Sequence, residues 1–145
     1  MIRYGNDCGL AEVHAREMAK KEDKVFVSPY NDPDVMAGQG TIAQELLNQV
    51  PDLGVVYVSL GGGGLIGGIG LFLKAVNKSI EVVACSASVD PCMHLSMEAG
   101  KIVDNVHHNT LAEALAGGLE EDTVTLAVCK KVIDRSLLVE EEAIK

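Results

Sequence analysis

The stretch Leu53-Gly54-Val55-Val56-Tyr57-Val58-Ser59-Leu60-Gly61-Gly62-Gly63-Gly64-Leu65-Ile66-Gly67-Gly68-Ile69-Gly70-Leu71-Phe72-Leu73 decides the fold. Its first part is rich in β-branched residues, as buried strands are. Its last part, continuing to Val76, is apolar or small almost all round, the pattern of a buried helix. Between them stand four consecutive glycines. Glycine loses more backbone entropy on folding than any other residue, so a run of four persists only where the backbone must do what side chains would prevent. Successive unhindered N–H groups feeding a helix N-terminus form an anion site, commonly for phosphate. A purely structural tight turn is the competing reading, although two glycines normally suffice for a turn.

Residues 53–73 carry no charge and are numerous enough to span a bilayer. Each glycine, however, costs about 1 kcal/mol in a helix interior. A strand, a loop and a helix use these residues without that cost, and no membrane partner is expected.

Outward from this stretch, strand-like and helix-like segments alternate. Residues 1–4 read as a short strand, and Asp7 as a cap for a helix that turns Leu10, Val13 and Met18 inward. Residues 24–28 (KVFVS) read as a strand and residues 29–33 as a loop. Thr41 and Gln44 have capping-box spacing, and Gly38-Gln39-Gly40-Thr41 reads equally well as a tight helix entry or a ligand contact. Pro51 ends that helix. Gly67, Gly68 and Gly70 are expected to let the central helix approach a sheet closely. Residues 81–85 (EVVAC) form another buried strand, with Cys85 as a small buried hydrophobe.

Farther on, Asp90-Pro91 supplies a cap and a first-turn proline to a helix ending near Gly100. Thr110 and Glu113 repeat the capping-box spacing, residues 123–134 read as helix and residues 136–139 as strand. The acidic run Glu140-Glu141-Glu142 favours a helix N-terminus. Near-continuous apolar strands separated by helices imply an α/β fold: one domain over residues 1–145, with a mainly parallel sheet covered by helices on both faces.

Bulk properties narrow the function. The chain has 145 residues, 48% of them hydrophobic, and a net charge of -9. Nucleic acid is excluded as a partner, because its binding needs a basic stripe, and only two Phe, three Tyr and no Trp are present to stack on bases. Cys8, Cys85, Cys92 and Cys129 show no Cys-x-x-Cys spacing, which fits reduced thiols in the cytoplasm.

The glycine run admits three specific readings. A Walker A loop fails, since no Gly-Lys-Ser/Thr follows at the required spacing. A dinucleotide fingerprint matches formally as Gly62-x-Gly64-x-x-Gly67, but the ribose-binding acid due after the next strand meets Ser86-Ala87-Ser88, with Asp90 as the nearest substitute. The third reading rests on residues 32–45 (DPDVMAGQGTIAQE), 47–51 (LNQVP) and 60–69 (LGGGGLIGGI), with weaker similarity at residues 110–113 and 138–144. Together these segments resemble the threonine dehydratase and serine racemase family, which are fold-type II pyridoxal-phosphate enzymes with a Rossmann-like three-layer large domain. The resemblance implies pyridoxal 5′-phosphate as cofactor, its phosphate wrapped by the backbone of Gly61, Gly62, Gly63 and Gly64 and by the Leu65 amide.

The same resemblance exposes departures. The family's Schiff-base lysine lies in a Ser-Phe-Lys-x-Arg-Gly segment upstream of the glycine loop, and its pyridine ring is cradled by a Ser-Gly-Asn-His segment. Neither motif occurs in these residues, nor does the downstream glycine-rich segment that serves the pyridine nitrogen. Ser86 and Cys92, with Asp90 nearby, stand where many relatives carry the acids of a divalent-metal site, and Ala114 where many have a glycine near the cofactor. No catalytic residue and no metal ligand is therefore assigned. The expected function is that of a truncated or split threonine/serine dehydratase-like lyase of amino-acid metabolism, offering a phosphate loop without self-sufficient catalysis. The alternatives are a non-catalytic module for a phosphorylated ligand and an oligomerising module. Expected partners are a phosphate-bearing small molecule and a second copy of the chain or a complementary one.

Three side-chain groups have a plainer reading beside a functional one. His107 and His108 with Asp104 suggest a metal, but loop histidines beside an aspartate are ordinarily solvated. Cys92 and His94, two apart on a helix, point to different faces. Lys74 and Lys78 are read as a solvated helix end rather than a displaced cofactor lysine.

Overall fold

Val55–Ser59 (β1) and Glu81–Ala87 (β2) pair in parallel, from Val55 opposite Glu81 to Ser59 opposite Cys85. Parallel neighbours need a crossover, and the helix Gly64–Val76 (α3) provides it. Arg135–Val139 (β3) lies along the other side of β2, also parallel, giving the order β1-β2-β3. This computed structural model describes residues 2–5, 8–104 and 106–145, with Cys8 as backbone only. The remaining helices are α1 (Cys8–Lys21), α2 (Pro33–Gln49), α4 (Cys92–Ala99), α5 (Thr125–Val132) and α6 (Glu141–Ile144), with a 3₁₀ turn at Glu113–Leu115. The expected cap at Asp7 falls outside the described residues.

The core forms where β1, β2 and α3 meet: Val56, Val58, Ile66, Ile69, Leu73, Val82 and Ala84 are buried together with Met93 and Cys129. Coverage is most complete on the central strand. β1 alternates, with Val56 and Val58 buried and Tyr57 61% exposed.

α3 is flanked by α2 and α5. Gly68 permits the first contact: a Cβ there would stand 2.1 Å from the Met36 carbonyl oxygen. Gly70 meets Val132 of α5, and Gly67 meets Met36 and Val128. The helical glycines thus seat α3 against two helices, not against the sheet as expected.

Several sequence expectations are corrected. α2 begins at Pro33, about two turns before Thr41. Asp32 is its cap, with Oδ1 accepting from the N–H of Asp34 at 2.8 Å and of Val35 at 3.2 Å, and Pro33 is pre-set for the first turn. Thr41 is interior and donates its hydroxyl to Gly38 O at 2.8 Å. Gly40, also interior, sits against Gly68 and serves helix packing, whereas a Cβ at Gly38 would meet open space, and Gln39 between them lines the cavity beside the glycine loop.

Asp90 does not cap α4; its carboxylate turns inward, and α4 ends at Gly100 in the left-handed region, φ 72°. Thr110 accepts from the Ala112 N–H at 3.0 Å, but only the short 3₁₀ turn follows. Lys74 is not a solvated helix end: its Nζ donates to Ile80 O at 2.8 Å and to Asp134 Oδ2 at 2.5 Å. Cys85 is only partly buried.

At the amino terminus the expected helix forms as α1, but the two expected strands do not. Residues 2–4 and 24–28 belong to no strand, and Val25 and Val27 are 90% and 62% exposed. Leu10 and Val13 of α1 are exposed as well. A strand exists only through its ladder, and no described strand runs beside these residues.

Candidate functional site

β1 ends at Ser59, and the chain enters Gly61-Gly62-Gly63-Gly64 before α3 begins. Gly63 occupies the N-cap of α3 at φ 86°, a conformation natural to glycine. A Cβ there would lie 2.8 Å from Cys129 Sγ and 3.1 Å from both Met93 Cε and Thr125 Cβ, so the loop is pressed onto α4 and α5. On its other side, a Cβ at Gly62 would lie 2.5 Å from the Tyr30 ring, and one at Gly61 would be 3.1 Å from Leu115 Cα. Glycine is required at each point because neighbours close in on the backbone itself.

Among the described residues, none of the N–H groups of Gly61, Gly62, Gly63, Gly64 and Leu65 donates to a protein acceptor. The last two belong to the first turn of α3, where N–H groups have no intrahelical partner. All five residues line one cavity of about 460 Å³. Facing them are Pro29 and Tyr30, the segment from Glu113 to Gly118, and the side chains of Glu12 and Gln39.

The walls are tied by polar groups whose part in the site the sequence did not reveal. Glu120, only 11% exposed, accepts from Asn31 Nδ2 at 2.7 Å, Ser28 Oγ at 3.2 Å and Arg16 Nη2 at 2.5 Å. Its own N–H donates to the Tyr30 hydroxyl at 2.9 Å. Asp90, with a fully buried side chain, accepts from the Gly117 N–H at 3.0 Å and meets His107 Nδ1 at 3.0 Å. Asp90 thereby holds the wall opposite the glycines in place. That commitment takes away the acid which the dinucleotide reading needed.

The electrostatics are unusual for an anion site, since among the described residues no Lys or Arg lines the cavity. Burial, with a smaller push from Glu120 and opposed by Arg16, raises the Glu12 carboxyl above its ordinary range. Burial also pushes the Cys129 thiol up to about 12, so it stays protonated behind the loop.

Most of the residues considered for a metal are engaged by other partners. Ser86 Oγ donates to Leu60 O at 3.0 Å, Cys92 Sγ reaches Val103 O at 3.4 Å, and His94 Nδ1 meets Ser136 Oγ at 2.8 Å. His107 engages Asp90, while Asp104 lies 3.9 Å from its Nε2. Among the described residues no three His, Cys, Asp or Glu side chains gather in a way that holds a metal ion, and no helix is long and apolar enough to cross a membrane.

Comparison with known proteins places this arrangement. The family model described as pyridoxal-phosphate dependent enzyme matches residues 1–145. The chain belongs to the pyridoxal-phosphate-dependent enzyme family. It is 37% identical over 144 residues to an L-threonine ammonia-lyase of Thermotoga maritima, covering 99% of this chain and 36% of that protein. It is 30% identical to the catabolic L-threonine dehydratase of Escherichia coli, covering 100% of this chain and 44% of the relative. The structure superposes on maize serine racemase with a TM-score of 0.87 at 32% identity, over 99% of this chain and 44% of that one. The processed threonine deaminase isoform 2 of Solanum lycopersicum gives a TM-score of 0.85 at 32% identity, over 96% and 40%. The chain therefore spans less than half the length of these relatives. Its α/β fold, with three parallel strands, is that of the fold-type II enzymes, and its family is one of pyridoxal 5′-phosphate-dependent enzymes; the relatives named here are threonine-cleaving enzymes and a serine racemase.

Proposed function

We propose that these residues form the phosphate-holding part of a threonine/serine dehydratase-like lyase acting on a 2-amino-3-hydroxy acid. The observation that carries the reading is that the five residues from Gly61 to Leu65 line one cavity and that, among the described residues, their N–H groups find no protein acceptor. A phosphate monoester fits this donor set. It needs several converging donors, a helix N-terminus favours its negative charge, and glycines allow its oxygens to reach the backbone. Pyridoxal 5′-phosphate, when bound, supplies the electron sink for bond breaking at the α-carbon of an amino acid.

The chain's own residues then bind and orient. Gly61, Gly62, Gly63 and Gly64 with the Leu65 amide grip the phosphate, Tyr30 and Leu115 shut the loop from the sides, and the segment from Glu113 to Gly118 forms the facing wall. Among the described residues no lysine or histidine lines the cavity, and Glu12 and Glu113 are its acidic residues. The covalent anchor and the proton-moving group are accordingly assigned to sequence other than the residues described. On these residues alone the role is phosphate holding, not catalysis.

The test is calorimetric titration of the purified protein with pyridoxal 5′-phosphate, then with pyridoxal, followed by borohydride reduction and mass spectrometry. Binding that inorganic phosphate competes away, with pyridoxal far weaker, is the expected result. A single lysine labelled stoichiometrically would show covalent anchoring within these residues and overturn the non-catalytic half of the proposal. Equal binding of pyridoxal and pyridoxal 5′-phosphate would remove the phosphate role from the glycines.

A further inference from the structure

Two buried hydroxyls behind the glycine loop point to a positioning device. Thr125 is fully buried at the start of α5, and its Oγ1 donates to Gly62 O at 2.7 Å. Thr123 Oγ1 lies 2.7 Å from Thr125 Oγ1, so with Thr125 donating to the loop, Thr123 donates to Thr125 and polarises it. At the other end of the loop, buried Ser86 donates to Leu60 O at 3.0 Å. Both carbonyls are drawn into the protein body.

Every peptide bond here is trans. In a trans peptide the N–H points opposite to the C=O of the same unit. A carbonyl of Gly62 held inward by Thr125 therefore drives the Gly63 N–H outward, and a carbonyl of Leu60 held by Ser86 does the same for Gly61. Polyglycine has no such preference of its own, since glycine populates both signs of φ with equal ease. Free rotation of these peptides would leave carbonyl oxygens facing a phosphate as often as N–H groups.

We propose that Thr125, polarised by Thr123 and seconded by Ser86, sets the orientation of the tetraglycine peptides so that N–H groups face the cavity before any ligand arrives. This deepens the phosphate-holding reading and rests on it for its consequence. Thr125 touches no ligand in this scheme and is a positioning residue. The hydroxyl is the decisive group: serine keeps it, and valine matches threonine in shape but lacks it.

The experiment compares wild type, Thr125→Val, Thr125→Ser and Thr123→Val. Residual dipolar couplings of the Gly61 and Gly63 N–H vectors are measured in ligand-free protein, and inorganic phosphate is titrated by NMR. Thr125→Val is expected to reorient or average the Gly63 vector and weaken phosphate about tenfold, the worth of one oriented donor row. Thr125→Ser should retain both within about twofold, and Thr123→Val should fall between. A Gly63 vector unchanged in Thr125→Val overturns the proposal, whatever the affinity. An altered vector with unchanged phosphate affinity also overturns it while leaving the phosphate role standing. Wild type that binds no phosphate removes the phosphate reading, and the dipolar couplings then decide alone whether the hydroxyl sets the loop. Should Thr125→Val not fold, loss of the Gly63 orientation in folded Thr123→Val supports the proposal and its retention opposes it.

Discussion

Residues 53–87 and residues 2–28 start from comparable local signals and end differently. Both contain β-branched runs, VVYV in the first and KVFV in the second, and both contain a helix. In the first, the run becomes β1, pairs with β2, and buries Val56 and Val58 against α3. In the second, no ladder forms among the described residues, and Val25 and Val27 remain exposed. What separates them is a partner. β-propensity reports fit to a pleated, half-buried surface, and it has no consequence until another strand and a covering helix supply that surface.

The sharpest way to break the comparison is Gly68→Ala. A methyl group 2.1 Å from Met36 O forces α2 and α3 apart, with an expected loss of about 3 kcal/mol or more. Urea unfolding followed by circular dichroism measures it, and a loss below 1 kcal/mol would mean the helix pair is not the anchor of the central region.

Asp134 tests the edge of the same region. Its Oδ2 accepts from Lys74 Nζ at 2.5 Å and from the Val82 N–H at 2.7 Å. Burial works against its charge, but the Lys74 hydrogen bond and the Val82 N–H outweigh burial, so its pKa lies below the ordinary 3.8. A lowered folded-state value stabilises at pH above 3.8 and loses that contribution as pH falls through the folded value. Asp134→Asn should cost about 1 kcal/mol at neutral pH, with the gap to wild type closing in acid. Denaturant midpoints at several pH values check both parts.

Glu12 links the two regions, since it stands on α1 and lines the cavity. Its carboxyl is raised above the ordinary 4.5, chiefly by burial. A raised folded-state value gives a contribution that is full below 4.5 and lost as pH rises through the folded value. Glu12→Gln should therefore be slightly stabilising at neutral pH and should tighten inorganic phosphate binding about twofold. Calorimetry at two pH values reads the change, and a weaker phosphate affinity would show that Glu12 supports the site.

The smallest effect is expected at Val25. Val25→Thr should shift stability by no more than about 0.5 kcal/mol, whereas Val56→Thr inside β1 should cost about 1 to 3 kcal/mol by burying a hydroxyl. Thermal melts of the two variants side by side suffice. Equal losses would show that residues 24–28 are covered in solution.

Much of the central architecture was legible. β1, α3, β2, α5 and β3 fall where residue patterns place them; in β1, α3, β2 and α5 buried positions dictate the composition, whereas β3 is an exposed edge marked by its apolar Leu137-Leu138-Val139 run. The fold class and the family follow from the same residues. The start of α2 was missed because capping-box spacing at Thr41 competed with the cap at Asp32, and only a helix that continues through Gly38 and Gly40 decides between them. Within the candidate site, the glycine loop was plain in the sequence. Tyr30, Glu120 and Thr125 were not, and of the segment from Glu113 to Gly118 only Ala114 was marked, by resemblance, since these roles rest on contacts across many residues of chain.

By itself the sequence determined that a backbone segment free of side chains sits between a buried strand and a buried helix. Glycine's missing Cβ and the apolar runs are local properties, readable without neighbours. Only the tertiary structure decided which way that backbone faces and what closes around it. A peptide's orientation depends on where its carbonyl finds a donor, and here those donors are Ser86 and Thr125, brought to the loop by β2 and α5.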